Sequence, residues 1–157
     1  MSETACSRRG FLKAAGVIVG ASVAAPALLA SDAKKGGANL SYPPKKIASL
    51  SALKKSGEMD FNYPDADSPC KAVMINGEVK AYSLLCTHKG CPTMYDASAQ
   101  TFVCPCHFSK FDAAKSGQTI IGQATGKLPE IMVEIKGDDV VAYGVDGLIF
   151  GRISNTL

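Results

Sequence analysis

Two short stretches bring sulfur and nitrogen donors into matching positions: Cys86-Thr87-His88-Lys89-Gly90-Cys91 and Cys104-Pro105-Cys106-His107-Phe108-Ser109. Each offers one thiolate and one imidazole, as Cys86-x-His88 and, after fifteen intervening residues, Cys104-x-x-His107. Such a donor set can hold a [2Fe-2S] cluster, with both cysteines on one iron and both histidines on the other. It can also hold a tetrahedral zinc ion. The distribution favours iron. Zinc sites usually separate a cysteine pair from a distal histidine pair, whereas here each stretch carries one donor of each kind. Cys91 stands just after His88 and Cys106 between Cys104 and His107, where they could join the two stretches as a disulfide, and both histidines of the chain are used. Exchanging two thiolates for neutral imidazoles leaves less negative charge on the cluster and moves its potential up to roughly −150 to +300 mV.

Loops that hold iron need rigid supports, and the sequence offers strands for the purpose. From about Leu40 onward it reads as short β-branched and aromatic runs punctuated by turn residues, with no long helical period. Lys71 to Ile75 and Glu78 to Leu84 flank Asn76-Gly77, the strongest two-residue hairpin signal. Ile131 to Lys136 and Val140 to Val145 flank Gly137-Asp138-Asp139 in the same way, and Leu148 to Ile153 is expected to close the chain as a further strand. Ser49 to Lys55 is the one weak helical candidate, approached through Tyr42-Pro43-Pro44, which favours an extended path. Residues 34–39 form a polar, glycine-containing lead-in. The expected class is all-β, with two ligand loops inserted between strands.

At the N-terminus, Ser7-Arg8-Arg9-Gly10-Phe11-Leu12-Lys13 precedes a run from Ala14 to Ala30 without a charged residue. This has the form of a twin-arginine export signal. The run is rich in Ala, Gly and Val and is broken by Pro26, which makes it weakly apolar for a span of about 20 residues. Residues 1–33 are therefore expected to be a leader cut near Ala30, Ser31 or Ala33; retention as a membrane anchor is the alternative. Export of the folded chain leads to the bacterial periplasm. Cysteine usage agrees with an oxidising compartment: Cys6 falls in the leader, Cys86 and Cys104 are candidate ligands, and Cys91 and Cys106 can pair. Cys70 is left over at the entry to an apolar strand, where a buried, inert thiol is expected.

The remainder is long enough for one domain with its own core. The formal charge is +3, and removing Arg8, Arg9 and Lys13 together with Glu3 and Asp32 lowers it by one. Neither value suggests nucleic-acid binding. The lysine pairs at 34–35, 45–46 and 54–55 read as solvated surface.

Cys86-x-His88 with Cys104-x-x-His107 resembles the cluster loops of Rieske proteins. The stretch Cys104 to Asp112 is similar to the second cluster loop of the cytochrome bc members, with two departures. A glycine there follows the histidine where this chain has Phe108, and a tyrosine there donates its hydroxyl to a ligand-cysteine sulfur where this chain has Phe111. Ser109 matches a serine whose hydroxyl bonds to a bridging sulfide in that family. Hydrogen bonds to cluster sulfurs favour the reduced state. With Ser109 present and the tyrosine hydroxyl absent, the expected potential lies below the top of the Rieske range and above that of dioxygenase ferredoxins.

Four segments together, Cys86 to Asp96, Cys104 to Asp112, Gly122-Gln-Ala-Thr-Gly-Lys-Leu-Pro129 and Gly144 to Arg152, resemble the small-subunit family of bacterial arsenite oxidases, of which iodate reductase Rieske subunits are a neighbouring branch. The resemblance implies a Rieske-type antiparallel β-sandwich or barrel at 40–157, with a two-loop cluster-binding subdomain inserted at about 84–112. It implies one [2Fe-2S] cluster held by Cys86, His88, Cys104 and His107, a Cys91–Cys106 disulfide tying the loops, and a cover over the cluster from Gly122 to Pro129. The implied partners are a large catalytic subunit with a molybdopterin centre and a [3Fe-4S] cluster, and a periplasmic c-type cytochrome or small copper protein. No substrate-contacting residue is assigned to this chain. The alternatives are a subunit of iodate reductase, in which electrons would run inward, a cytochrome bc subunit, and a zinc-stabilised module without redox function.

Overall fold

In the computed structural model, which describes residues 42–154, strand β1 (Lys45–Ser49) runs directly into helix α1 (Leu50–Ser56). Ser49 caps the helix by accepting the Ala52 N–H at 3.2 Å, satisfying one of the free donors of the first turn. Gly57, at φ 81°, ends it in the left-handed conformation and donates its N–H to the Leu53 carbonyl. The helix expected from Ser49 is thus present, with Ser49 as its cap. Strand β2 (Glu58–Asn62) follows, then the hairpin of β3 (Pro69–Ile75) and β4 (Glu78–Ser83). Its two turn residues, Asn76 and Gly77, sit at φ 51° and 84°, as a type I′ turn requires.

After β4 the chain leaves for a second, smaller sheet of β5 (Met94–Asp96), β6 (Thr101–Val103), β7 (Lys110–Asp112) and β8 (Gln118–Ile121), in that spatial order, with a short 3-10 turn at Ala113–Lys115. It then returns as the hairpin of β9 (Glu130–Lys136) and β10 (Asp139–Asp146). The larger sheet has the order β1-β10-β9-β4-β3-β2, and its named pairs are antiparallel. Its two outermost strands approach each other, the Lys45 ammonium in β1 donating to the Asn62 carbonyl in β2 at 2.9 Å, which nearly closes the sheet into a barrel. Among the described residues no helix is long and apolar enough to cross a membrane. The expected leader and lead-in fall outside the described residues.

β3 shows how the two sheets share one strand pair. Successive side chains of a strand point to opposite faces. Cys70 and Ala72 enter one core with Leu53, Tyr63, Ala81, Ile131, Val145 and Ile149. Val73 and Ile75 enter a second core with Tyr82, Cys86, Phe102, Cys104, Phe111 and Leu128. Both faces are covered, so β3 reads from Ala72 to Ile75 as a continuous apolar run instead of an alternating one, while Lys71 before it pairs with Glu58 and Asp60. Cys70 is fully buried with its sulfur 3.3 Å from the Tyr63 carbonyl, and burial pushes its thiol up to about 12.

The expected closing strand from Leu148 to Ile153 does not form. β10 ends at Asp146, opposite the first residue of β9, and on its other side β1 begins only opposite Ala142, so a continuation would have no strand beside it. Gly147 and Gly151, at φ 113° and 87°, turn the chain instead. The segment is used as a strap: Ile149 is buried in the first core, and Arg152 forms an ion pair with Asp65 while its guanidinium lies over the Tyr42 ring.

Candidate metal centre

Loop 1 spans Cys86 to Cys91 between β4 and β5, and loop 2 spans Cys104 to Ser109 between β6 and β7. Both are closed at the base by backbone bonds. Cys86 N–H donates to the Cys91 carbonyl at 2.9 Å and Gly90 N–H to the Cys86 carbonyl at 2.8 Å; Cys104 N–H donates to the Ser109 carbonyl at 2.8 Å. Behind loop 1, Thr93 gives both its N–H and its hydroxyl to the Leu84 carbonyl. Behind loop 2, Phe102 and Phe111 face each other across β6 and β7, both buried. Two short loops on packed strands hold their side chains more firmly than mobile loops could.

The arrangement brings all four nitrogen and sulfur candidates to one end of the small sheet. Cys86 and Cys104 are buried free thiols, and the His88 and His107 rings lie edge to face with centroids 4.6 Å apart. Burial raises the Cys86 thiol above its ordinary value; the backbone N–H of His88 opposes this, and the neighbouring Cys104 adds to it. The Nδ1 atom of His88 is buried and has no hydrogen-bond partner among the described residues. A buried polar atom without a partner is rare, and here it belongs to the same short loop as Cys86, whose thiol burial holds protonated. A cation that accepts nitrogen and binds thiolate satisfies both, so the residues fit an iron-sulfur cluster.

Cys91 and Cys106 form a disulfide that joins the loops, with their Cα atoms 6.5 Å apart. Their sulfurs and that of Cys104 lie within 4.8 Å of one another. Two of the three are spent in the disulfide, which leaves Cys104 as the free donor of that group. Phe108 is three-quarters exposed at φ 60° beside His107, a conformation uncommon for a bulky residue. Phe111 is wholly buried and brings no hydroxyl to the site.

The segment from Gly122 to Leu128 is stitched to both loops. Thr87, between the first cysteine and histidine, donates its hydroxyl to the Gly126 carbonyl at 2.8 Å, and Thr119 donates to the same oxygen at 2.9 Å. Ala124 N–H donates to the Ser109 hydroxyl at 3.0 Å. Gly90, at φ 71°, lies under the Phe150 ring, where a Cβ would be 2.4 Å from the nearest ring carbon. Thr87, Gly90 and Phe150 escaped the sequence reading, because a threonine or glycine inside a ligand motif carries no sign of what it will face.

A profile of the Rieske [2Fe-2S] domain matches residues 49–132. The iodate reductase subunit IdrB of Denitromonas iodatirespirans is 40% identical over 98% of this chain and 89% of its own length. The subunit of the same name from Pseudomonas sp. strain SCT is 36% identical, covering 95% and 84%. Among solved structures, the cyanobacterial plasma membrane Rieske protein of Synechocystis PCC 6803 aligns with a TM-score of 0.56 at 28% identity, over 64% of this chain and 99% of that one.

Proposed function

Because the chain belongs to the Rieske [2Fe-2S] family, we propose that it is the electron-transfer small subunit of a periplasmic arsenite oxidase. Cys86 and Cys104 hold one iron, and His88 and His107 hold the other. When bound, the cluster supplies a one-electron centre between a large molybdopterin and [3Fe-4S] subunit and a soluble c-type cytochrome or copper protein. Around it the chain's own residues keep water out and present an imidazole edge. His107 is exposed while the thiols are buried, so the histidine end is the natural exit to a partner. Ser109 offers its hydroxyl to a cluster sulfur, which favours the reduced state. Export by the twin-arginine route agrees with the Arg8-Arg9 leader and with a disulfide that needs an oxidising compartment.

The supporting observation is the site itself: two buried thiols and a buried imidazole nitrogen without a partner among the described residues, carried on two loops that a disulfide joins. The segments Gly122 to Pro129 and Gly144 to Arg152 support the arsenite oxidase branch. The near full-length similarity to IdrB supports a second reading, the Rieske subunit of an iodate reductase. The two differ in the direction of electron flow. The test is co-purification from the periplasm with the large subunit, followed by low-temperature EPR after adding arsenite to the oxidised complex or iodate to the reduced one. Arsenite-dependent appearance of the Rieske signal is the expected result. Loss of the signal with iodate, with no response to arsenite, overturns it in favour of the second reading, and a colourless, iron-free chain returns the zinc module.

A further inference from the structure

We propose that Gly122 is a positioning residue for the hydroxyl of Ser109, and that the Gly122–Ala124 segment thereby tunes the cluster as well as covering it. A serine hydroxyl rotates to suit its neighbours, so it favours one acceptor strongly only when something holds it. Ser109 is wholly buried, which removes water as a competitor. Its oxygen accepts the Ala124 N–H at 3.0 Å, which fixes one lone pair and leaves the hydroxyl hydrogen for another acceptor.

The approach that makes this bond depends on the absence of a side chain at position 122. An ideal Cβ on Gly122 would stand 2.3 Å from Ser109 Cα, 2.6 Å from its nitrogen and 2.7 Å from its Oγ. Two of those atoms are backbone, which cannot swing aside. Gly122 is also at φ 108°, a conformation that side chains resist. The far end of the segment is pinned independently, because the hydroxyls of Thr87 and Thr119 both hold the Gly126 carbonyl. An added methyl group therefore lifts the near end from Ser109 and breaks the Ala124 bond while the far end stays attached to loop 1. The hydroxyl then reorients, the cluster sulfur loses a donor, and the oxidised state gains.

This rests on the role given to Ser109 above, so Ser109→Ala is measured beside Gly122→Ala and Ala124→Pro, the last removing the N–H donor and also fixing φ at 124 and restricting the backbone of Gln123. The readouts are iron content, the EPR g-values and the reduction potential of the loaded protein. Ser109→Ala is expected to lower the reduced-to-oxidised ratio at fixed potential about tenfold, equivalent to about 59 mV for one electron. Gly122→Ala and Ala124→Pro are expected to shift it threefold or more in the same direction, and to add nothing in the Ser109→Ala background. A potential within threefold of the parent in both loaded variants, with Ser109→Ala shifted, overturns the positioning role and leaves Ser109's own role standing. Additive shifts in the double variants, or loss of the cluster from both single variants, also overturn it, since a merely structural turn gives those results. An unchanged potential in Ser109→Ala removes the Ser109 reading and this one with it.

Discussion

Tyr63 and Cys70 illustrate how burial dominates the state of a side chain, over the smaller effects of neighbouring groups. The Tyr63 hydroxyl is buried without a hydrogen-bond partner among the described residues, and burial raises it to about 12, as it does the Cys70 thiol. Both groups are neutral when protonated, so the folded chain holds their protons more tightly than the unfolded chain. Their contribution is intact below the unfolded values of about 9 for the thiol and about 10 for the phenol. It falls as pH rises through that range toward about 12. Tyr63→Phe removes a buried polar atom that has no hydrogen-bond partner among the described residues, so it is expected to be neutral or to stabilise by up to about 1 kcal/mol. It should also flatten the alkaline loss of stability. Urea unfolding at pH 7 and at pH 10.5 checks both; a destabilisation above about 1 kcal/mol at pH 7 would show that the hydroxyl has a partner after all.

At the scale of elements, the two ligand loops depend on what crosses between them. Backbone bonds close each loop separately, and the Cys91–Cys106 disulfide joins one to the other. For a closed loop of about 15 residues the chain-entropy account gives roughly 3 kcal/mol. That restraint acts on the small sheet, because neither cysteine touches the barrel core around Leu53 and Ile131. Cys106→Ser is therefore expected to speed loss of the cluster, followed by bleaching at constant temperature, while barrel unfolding followed by far-UV circular dichroism changes less. Equal shifts in both measurements would mean that the two regions unfold as one.

Across the molecule, the two cores meet at β3 and β4, and Tyr82 spans the junction. It lies on β4, is fully buried in the second core, and donates its hydroxyl to the Ala113 carbonyl at 2.7 Å, just past β7. Burial holds its phenol well above the ordinary range. Tyr82→Phe leaves that buried carbonyl without its donor, and the expected cost is about 1–3 kcal/mol. It should fall on the small sheet first and separate its melting from that of the barrel, seen as two calorimetric transitions where the parent shows one. A single transition at the parent's temperature would mean that the sheets are coupled mainly through packing of Val73 and Ile75.

Much of this was readable along the chain. Cysteine and histidine spacing within a loop is a local property, and it identified the cluster class; Asn76-Gly77 and Gly137-Asp138-Asp139 marked hairpins because turn conformation is set by a few adjacent residues, and the structure narrows the second turn to Gly137-Asp138. The three-residue strands β5 to β7 were beyond reach, since so short a run has no period to detect. Which residues press on the ligand loops was decided only in the folded molecule. The Leu148 to Ile153 run is apolar enough for a strand, yet it became a strap because β10 leaves it no neighbour to pair with. Gly122 meets Ser109, and Gly90 meets Phe150, across loops far apart in sequence. A glycine's own letter records that the backbone there is free to bend; only tertiary packing determines what moves into the space its missing side chain leaves.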